Sequence, residues 1–583
     1  MKYLRRRLQV AALVLTIGTA PALAQDNSKA DSSHVKEKTL NELVVVGYGT
    51  QRRGNLVGTV SQVSGDVLEN RSNPNVARSL QGEIPGLTIT MADGKPIRSG
   101  TIRIRGAVNS IGAGGSALVL VDGVEGDINA VNPDDVESVS VLKDASSTAI
   151  YGARGAFGVI LVTTKKAKKG APVIKYSGNV SLMQRTVVPE MVTNGLQWAT
   201  DFYNAYYNYK GKAPSTINNR FNKFIVSWDD WYSELQRRDA DPTLEKMRIN
   251  ANGYYDYFGN TDWFKLFYRD NSYATQHSVS VSGGSDRATY LVSGAYYGTN
   301  GVYREGGEHF HRFNLRAKGT LQIRPWLRLD NNTELWTRKY HEPAVQYSYS
   351  SSDYSTIIPI QRQIETQGFP VALPRNTDGT WTEAATYTGY SAFCDGDSYR
   401  EYHKLTVKNT TALNLDLIKD VLKARADFTY SYTRNMRDQV GLLYYGEIGP
   451  GIEVSHQNFS YLEKRYYDTN YYSANALLTF TPKLGTDHHV KVLGGWNLEN
   501  EKYITTRMDR QHLLVRDKPN FNLADGDSWN IRDNGSYSWG FVGAFYRLNY
   551  DYKSRYLFET SGRYDGTSKF PQDQFTTDLS EAH

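Results

Sequence analysis

Long stretches in which apolar and polar side chains alternate are the feature that most constrains the fold. Between residues 405 and 417 the odd positions include Leu405, Val407 and Leu413, whereas the even positions carry threonine, lysine, asparagine and aspartate. The alternation resumes at residues 422–432 after a short turn, which predicts two antiparallel strands joined as a hairpin. Because successive side chains of a strand point to opposite faces, each strand has one apolar and one polar face.

Strand length separates two folds that share this alternation. We count about eleven such strands after residue 170, and several reach ten or more residues. A water-soluble β-sandwich has the same period, but its strands average about five or six residues. Strands that cross a membrane in a β-barrel need about ten residues, and aromatic girdles flank them. The 42 Tyr, 20 Phe and 10 Trp of the chain agree with a barrel.

The first 24 residues have the order of a secretory signal peptide. Lys2 and three arginines precede an apolar run that ends in small residues before Gln25, where we expect cleavage. Because Cys394 is the only cysteine, we expect neither a disulfide nor a lipid-modified cysteine in the exported chain. After the signal no apolar run is long enough for a transmembrane helix. The net charge of +6 is small for 583 residues, so nucleic acid is not an expected partner.

Residues 56–169 differ from the rest of the chain in composition and pattern, because they contain many glycines and short apolar runs. Runs at 101–106, 117–123, 136–142 and 158–164 predict the strands of a compact α/β or mixed-sheet domain. The sequence therefore predicts two regions, a small mixed domain followed by long antiparallel strands.

Three glycines at positions 152, 155 and 158 raise the question of a nucleotide site. A dinucleotide-binding loop needs a strand, then GxGxxG, then a helix, whereas here the spacing is GxxGxxG and the strand follows the glycines. We therefore interpret them as a tight turn between a short helix near residues 145–151 and the next strand.

Connections between the later strands alternate in length. Residues 283–286 and 551–554 form short turns, whereas residues 187–271 and 342–400 are long and rich in Tyr and Trp. Outer-membrane barrels show this asymmetry between short periplasmic turns and long external loops. Two interpretations of the long loops stay open: aromatic side chains displayed to a ligand or partner, or insertions that a surface tolerates.

Several motifs together resemble the SusC/RagA family of TonB-linked outer-membrane proteins. NPDDVESVSVLKDAS at residues 132–146, continuing through AIYG, RG and GVI to TTK at 163–165, is similar to the plug-domain signature of that family. LNELVVVGYG at residues 40–49 resembles its TonB-box region, and residues 75–86 resemble the first plug helix and turn. The resemblance covers most of residues 40–570.

The resemblance implies a mainly β fold, in which an N-terminal mixed α/β plug domain lies inside a large antiparallel transmembrane β-barrel. Family barrels have about 22 strands, so about half of the barrel is expected in this chain. The implied division is a signal peptide at 1–24, a periplasmic linker at 25–39, the TonB-box region at 40–49, the plug domain at 50–169, and a partial barrel with long extracellular loops at 170–583.

The resemblance also implies transport and no enzyme activity or cofactor. We expect import of a large nutrient, an oligosaccharide or peptide, across the outer membrane of a Gram-negative cell. The implied partners are the TonB energy-transducing complex, a SusD-like surface lipoprotein and outer-membrane lipid. Two alternatives stay open: a siderophore or metal-chelate receptor of the same architecture, and a truncated transporter fragment without function.

The TonB-box assignment rests on a short β-prone run after a polar linker. Such a run can add as a strand to the edge of a partner sheet, although an ordinary first strand of the plug shows the same pattern. The residues assigned to it are Asn41, Glu42, Leu43, Val44, Val45 and Val46.

The plug motif is interpreted as structural. Its residues are Arg103, Arg105, Gly106, Asp122, Gly123, Lys143, Asp144, Tyr151, Gly152, Arg154, Gly155 and Gly158. Among them we expect Arg103, Arg105 and Asp122 to be buried structural charges, and by resemblance the glycines to pack a plug strand tightly inside the barrel.

No catalytic or metal site is predicted. His309 and His311 face the same side of a strand, and neither they nor His488 and His489 have carboxylate or cysteine partners at metal-ligand spacing. Substrate-binding residues are not assigned.

The end of the sequence departs from the family pattern. Similarity fades after about residue 570, and the polar segment to residue 583 lacks a final amphipathic strand. A small β-sandwich domain common before the TonB box also finds no counterpart. We therefore expect a fragment or a truncated gene, and expect the 583-residue chain expressed alone to be degraded or aggregated, because open strand edges cannot be satisfied by lipid.

Overall fold

The computed structural model defines two regions, a small mixed domain and a large antiparallel sheet. The structure describes residues 43–46, 49–52, 59–69, 71, 75–91, 94–106, 116–186, 188–215, 224–344, 347–350, 353–357, 360–455, 459–526, 530–533, 535–553, 555–569 and 576–582.

The small domain contains a five-stranded mixed sheet, in the order β3-β8-β9-β6-β7, in which β6 and β9 run parallel. Its described strands are β1 Leu43–Val46, β2 Gly49–Arg52, β3 Val60–Ser64, β4 Leu87–Thr90, β5 Thr101–Ile104, β6 Leu118–Val121, β7 Val124–Glu125, β8 Val136–Leu142 and β9 Val159–Thr164. Its helices are α1 Gly65–Glu69, α2 Val76–Ser79 and α3 Ala145–Thr148, with 3₁₀ turns at Ile128–Ala130, Pro133–Asp135 and Ala149–Gly155. The mixed-sheet prediction is confirmed.

Apolar side chains of the strands and of the first helices form the core of this domain. Leu68 and Leu80 are fully buried against Val136 and Val139 of β8. Asn75 accepts a hydrogen bond from the Ala77 amide and so caps α2, which fixes where this short helix begins.

Thirteen of the remaining strands form one sheet, whose path is β10-β13-β14-β15-β16-β19-β20-β23-β24-β26-β27-β28 with β25 paired to β24, and β11-β12, β17-β18 and β21-β22 form separate two-stranded sheets. All its pairings are antiparallel, which confirms the predicted fold class, and the path holds one strand more than the sequence estimate of about eleven. The strands from residue 170 onward are β10 Gly170–Gln184, β11 Met247–Ile249, β12 Tyr255–Tyr257, β13 Asn271–Gly284, β14 Ala288–Asn300, β15 His309–Arg324, β16 Leu327–Pro343, β17 Tyr347–Ser350, β18 Asp353–Ile357, β19 Tyr399–Ile418, β20 Leu422–Gly441, β21 Gly446–Gly449, β22 Ile452–Val454, β23 Tyr461–Phe480, β24 His488–Gln511, β25 Asn530–Asp533, β26 Tyr537–Tyr552, β27 Tyr556–Thr567 and β28 Thr576–Ala582.

The two faces of the large sheet have opposite character. On β19 the apolar Leu405 and Leu413 are 38% and 41% exposed, whereas Thr406 and Lys408 between them are buried. A sheet of a water-soluble domain would bury its apolar face, so this arrangement is typical of a wall that presents apolar side chains to lipid. The small domain lies against the polar face, where its Asp122 contacts Lys318. We call the small domain the plug and the large sheet the wall.

The predicted hairpin at residues 405–432 is present. Leu415 pairs with Ala424, and the turn between β19 and β20 places Asp420 at a positive φ of 61°. Connections at this end of the wall are short, and those at the opposite end include the two long segments at 185–270 and 344–398.

The two long segments pack together in one hydrophobic cluster, which we call the loop core. They carry α4 Gly195–Lys210, α5 Trp228–Ala240, α6 Trp263–Phe267, α7 Ile360–Gln367, α8 Glu383–Thr388 and α9 Tyr390–Asp395. Trp231 and Phe393 are fully buried, one from each segment. The interpretation in which the long-loop aromatics are displayed to a ligand is therefore wrong for these side chains, because they form a core. Among the described helices, none combines the length and the apolar composition needed to cross a membrane.

Candidate functional site

The interface between plug and wall brings most of the predicted plug residues together. It begins at the turn between β6 and β7, where Asp122 and Gly123 both have positive φ, of 52° and 88°. An Asp-Gly pair with two positive φ angles makes a tight hairpin whose twist matches its strands. The turn carries the Asp122 carboxylate to the wall.

Asp122 is the centre of a group of charges that joins plug and wall. Its carboxylate lies 2.9 Å from Lys318 Nζ and 3.6 Å from Arg316 Nη1, both on β15 of the wall. It also accepts hydrogen bonds from the Thr164 amide and hydroxyl, at 2.9 and 2.7 Å, and from Asn332 at 3.0 Å. Burial raises the pKa of Asp122, but Lys318, Arg316 and Thr164 outweigh burial and lower it to about 2.

The same group continues across the wall. Arg316 lies 3.6 Å from Asp135 of the plug and 3.1 Å from Glu334 of β16, and Lys408 lies 3.5 Å from Glu334. Three cations thus meet three carboxylates, so the charges balance. We call this group the plug–wall ion cluster; its members are Asp122, Asp135, Arg316, Lys318, Glu334 and Lys408. The expectation that Asp122 is a largely buried structural charge agrees with this geometry.

A second contact joins plug and wall at Arg154. Both of its terminal nitrogens donate to the two carboxylate oxygens of Glu499 on β24 at 2.7 Å, which is the bidentate geometry of a strong charged pair. The guanidinium also lies 4.8 Å from the ring centre of Phe541 and 3.4 Å from Glu125.

The glycine-rich turn approaches the wall more closely than a side chain would allow. A Cβ atom on Gly152 would lie 2.3 Å from the Asp565 carboxylate, and Arg563 of β27 donates to the Ile150 carbonyl at 3.0 Å. On Gly158, whose φ is 90°, a Cβ would lie 2.5 Å from Ile104 Cδ1. These positions need glycine for close packing.

The remaining residues of the turn pack within the plug. A Cβ on Gly155 would lie 2.9 Å from the Thr148 carbonyl, and Tyr151 is buried. The short helix predicted near residues 145–151 is present as one turn of α-helix followed by a 3₁₀ turn.

Asp144 caps the start of α3, and Lys143 before it contacts another part of the plug. Asp144 accepts hydrogen bonds from the Ser147 amide at 2.9 Å and from the Thr59 amide. Burial raises the pKa of Asp144, but these donors outweigh burial and lower it to about 2. Lys143 donates to the Pro85 carbonyl.

Arg103 and Arg105 are both exposed, which contradicts the prediction made for them. On β5 it is Ile102 and Ile104 that point into the plug core, so the alternation turns the arginines outward. The expectation that these two arginines are buried structural charges is therefore wrong. Gly106, directly after them, is exposed as well.

The TonB-box assignment falls at the edge of the described chain. Asn41 and Glu42 lie outside the described residues, and of Leu43–Val46 only the backbone is described, paired antiparallel with Gly49–Arg52. The role of residues 41–46 stays a prediction.

The wall residues that hold the plug were not found from the sequence. Arg316, Lys318, Glu499 and Arg563 all lie on the polar face of wall strands, where the alternation predicts polar side chains without naming their partners. His309 and His311 do share one face of β15, with ring centres 5.2 Å apart. Within the described chain, no three His, Cys, Asp or Glu side chains are placed to hold a metal ion.

Comparison with known proteins identifies the plug. Residues 53–159 match the family model of the TonB-dependent receptor plug domain. The chain is 27% identical to TonB-dependent receptor P26 of Formosa agariphila, over 96% of this chain and 51% of that protein. It is 26% identical to TonB-dependent receptor SusC of Bacteroides thetaiotaomicron, over 92% of this chain and 50% of that protein. The chain thus spans about half the length of these relatives.

Solved structures agree on the fold. The structure of the RagAB peptide importer in the open-open state superposes with a TM-score of 0.69 at 20% identity, and the match covers 92% of this chain and 57% of that chain. The chain thus shares with this importer a plug packed against a wall of long antiparallel strands, and its plug matches the TonB-dependent receptor plug domain.

The similarity to SusC and the shared fold with the RagAB importer support the SusC/RagA resemblance that the motifs predicted. The named relatives are receptors, and the aligned structure is an importer, in line with the expectation that the chain is not an enzyme.

Proposed function

We propose that the protein takes part in TonB-dependent import of a large nutrient, an oligosaccharide or a peptide, across the outer membrane. The observation that carries the proposal is the position of the plug, which is bound to the polar face of the wall by the plug–wall ion cluster and by Arg154. A plug held in this way closes the path along the wall, so a substrate passes only when the plug moves or changes shape.

The apolar outer face of the wall supports an outer-membrane location. Val180, Leu315 and Phe428 point away from the plug and are 72%, 49% and 52% exposed. Lipid would cover this surface, and the polar face would line the transport path. The division at residues 24, 39, 49 and 169 into signal peptide, linker, TonB-box region, plug and wall belongs to this proposal.

Energy for import has to reach the outer membrane from elsewhere, because that membrane has no ATP and no ion gradient. We assign energy coupling to residues 41–46, which would add as a strand to the sheet edge of the TonB complex and transmit a pull to the plug. A SusD-like surface lipoprotein is the proposed partner at the substrate side. SusC among the relatives and the RagAB importer among the aligned structures support this arrangement.

Growth of a deletion strain tests the proposal. Deleting the gene in its source bacterium should abolish growth on one class of oligosaccharide or peptide as sole nutrient, and should leave growth on monosaccharides and amino acids unchanged. Growth under iron limitation is the control. A defect confined to iron limitation would contradict nutrient import and favour a siderophore receptor.

A further inference from the structure

Several histidines lie together on the outer face of the wall, away from the plug. His309 and His311 are two positions apart on β15, and by the alternation they share the face of the exposed Phe313 and Leu315. Directly opposite residues of a sheet share a face, so their partners on β16 and β19 point outward as well. We call this group the histidine patch; its members are His309, His341 and Glu401 in one row and His311, Lys339 and His403 in the next.

The position of the histidine patch along β15 is next to the apolar band of the outer face. The outward positions from Phe313 to Ile323 carry apolar side chains or glycine over ten residue steps. Ten steps of about 3.3 Å, at a strand tilt of about 40°, rise about 25 Å along the membrane normal, which is the height of the apolar band of a barrel. His311 and His309 come directly after this band, so they lie at the level of the lipid headgroups.

The histidine patch lies at the end of the wall that carries the long segments. β15 begins at His309, and β16 ends at Pro343, directly before the segment 344–398. At their other ends these two strands are joined by a short turn at residues 325–326. Because the long connections of outer-membrane barrels are external, the headgroups beside the patch are those of the external leaflet.

The carboxylate of the histidine patch already has partners. Glu401 lies 2.8 Å from Lys339 Nζ and accepts a hydrogen bond from His403 Nε2 at 2.6 Å. The outward carboxylates at this level on β20 and β23 are each paired with a cation at 2.8 Å: Asp438 with Lys464, and Asp468 with Arg434. These carboxylates therefore do not prevent an anion from binding beside the imidazoles.

Three imidazoles of the histidine patch each keep one ring nitrogen for a ligand. His309 donates through Nδ1 to the Gly307 carbonyl at 2.7 Å, and His311 Nδ1 shares a hydrogen bond with the Tyr296 hydroxyl at 2.8 Å. His403 uses Nε2 for the carboxylate described above. In the part of the chain that the structure describes, the other nitrogen of these three rings makes no hydrogen bond.

The rings are spaced closely enough to share one anion. The ring centre of His309 lies 5.2 Å from that of His311 and 5.2 Å from that of His341. An anion within about 4–6 Å favours the charged form of an imidazole, which then has two N–H donors. A phosphate monoester has three acceptor oxygens, so it can accept from several of these donors. His341 also stacks on Tyr399 at 5.2 Å, and such rings offer a flat surface to a sugar.

We propose that the histidine patch binds the phosphate-bearing sugar headgroup of a glycolipid in the external leaflet. Phe313 and Leu315, directly below the patch, would contact the acyl chains of this lipid, which favours a lipid over soluble phosphate. A phospholipid fits less well, because its phosphate is a diester and its headgroup has no ring to stack. The proposal goes beyond nutrient import and rests only on the outer-membrane location proposed above.

Lipid binding to the native protein, purified in a neutral detergent, tests the proposal. Native mass spectrometry compares monophosphoryl lipid A, the same lipid without its phosphate, and phosphatidylglycerol. We expect monophosphoryl lipid A to bind at least about tenfold more tightly than the other two. The double variant His309→Gln, His341→Gln should lose at least about tenfold in affinity for monophosphoryl lipid A.

Matched variants separate binding from folding. His488 is also exposed and shares a hydrogen bond with a tyrosine, Tyr550 at 2.8 Å, but it lies at the short-turn end of β24. His488→Gln should therefore leave the affinity unchanged. The double variant should keep the melting temperature of the wild type, because both of its side chains lie on the outer surface. His309→Lys retains a cationic donor and should keep binding monophosphoryl lipid A.

The other outcomes contradict the proposal. Equal binding of the lipid with and without phosphate overturns phosphate recognition, and equally tight phosphatidylglycerol overturns the choice of a glycolipid. Wild-type affinity in the double variant shows that the histidine patch is not the site. If the double variant does not fold, loss of binding in a folded His309→Lys overturns the proposal instead. If no lipid binds, the proposal fails, whereas nutrient import is refuted only by the growth experiment.

Discussion

Replacing Asp122 by Asn tests how strongly charge holds the plug to the wall. The substitution keeps the size of the side chain and suits the positive φ of the turn, but removes the charge that Lys318 and Arg316 contact. In the folded protein the pKa of Asp122 falls from 3.8 to about 2. A difference of this size corresponds to about 2 kcal/mol of stability at neutral pH.

Hydrogen exchange of plug amides measures this loss. In Asp122→Asn the amides of β9, which Asp122 contacts at Thr164, should exchange about thirtyfold faster at pH 7. Because the pKa is lowered on folding, the stabilisation by Asp122 is present above pH 3.8 and is lost as the pH falls through about 2. The difference between the two proteins should therefore shrink across that window.

Asp286→Asn is the matched control. Asp286 also pairs with a lysine, at 2.7 Å from Lys169, but its side chain is 90% exposed in a short turn. We expect no change in plug exchange from this variant, because exposed ion pairs contribute little. Equal exchange rates in Asp122→Asn and the wild type at pH 7 would refute the reasoning.

Three further predictions concern the TonB box, the plug and the loop core. Val45→Pro removes the backbone amide donor of a residue that pairs with Thr50, so it should abolish uptake while substrate binding persists. The control Val45→Ala should keep both uptake and binding. Uptake by the proline variant would contradict the TonB-box assignment. Gly158→Ala should destabilise the plug by about 2 kcal/mol or more, measured by hydrogen exchange, because its φ is 90° and a Cβ would collide with Ile104. Gly94 has open space around it, so Gly94→Ala is the control and should show no effect. Trp231→Ala should speed exchange throughout the loop core by removing about 3–5 kcal/mol, and slower or unchanged exchange there would show that the core does not depend on this side chain.

Local patterns in the sequence were sufficient to predict the strands and the order of a small mixed domain followed by long antiparallel strands. The alternation at Leu405 and Leu413 predicted β19 and its apolar outer face, and the run at residues 136–142 predicted β8 with both its bounds. Period and length are local properties of a strand, so one sequence contains them. The same alternation at Ile102 and Ile104 would have placed Arg103 and Arg105 outward, so that error was avoidable.

Contacts between residues far apart in the chain could not be predicted from the sequence. Asn332 donates to Asp122 across 210 positions, and this contact depends on how the whole plug packs against the wall. The register of Arg437 with Arg465 likewise depends on the length of the connection between β20 and β23. Composition showed that the long segments are aromatic, but could not tell displayed rings from a core such as that around Trp231.

The shared core of the two long segments limits how such proteins can exchange parts. Residues 185–270 and 344–398 leave the wall at separate hairpins, yet Trp231 and Phe393 belong to a single packed unit. A chimaera that receives only one of these segments from a relative would pack it against a second segment of different sequence. The two surfaces would not fit, and tryptophan and phenylalanine side chains would become exposed to water. Recombination, natural or engineered, is therefore expected to succeed when both segments are transplanted together, as one inherited module.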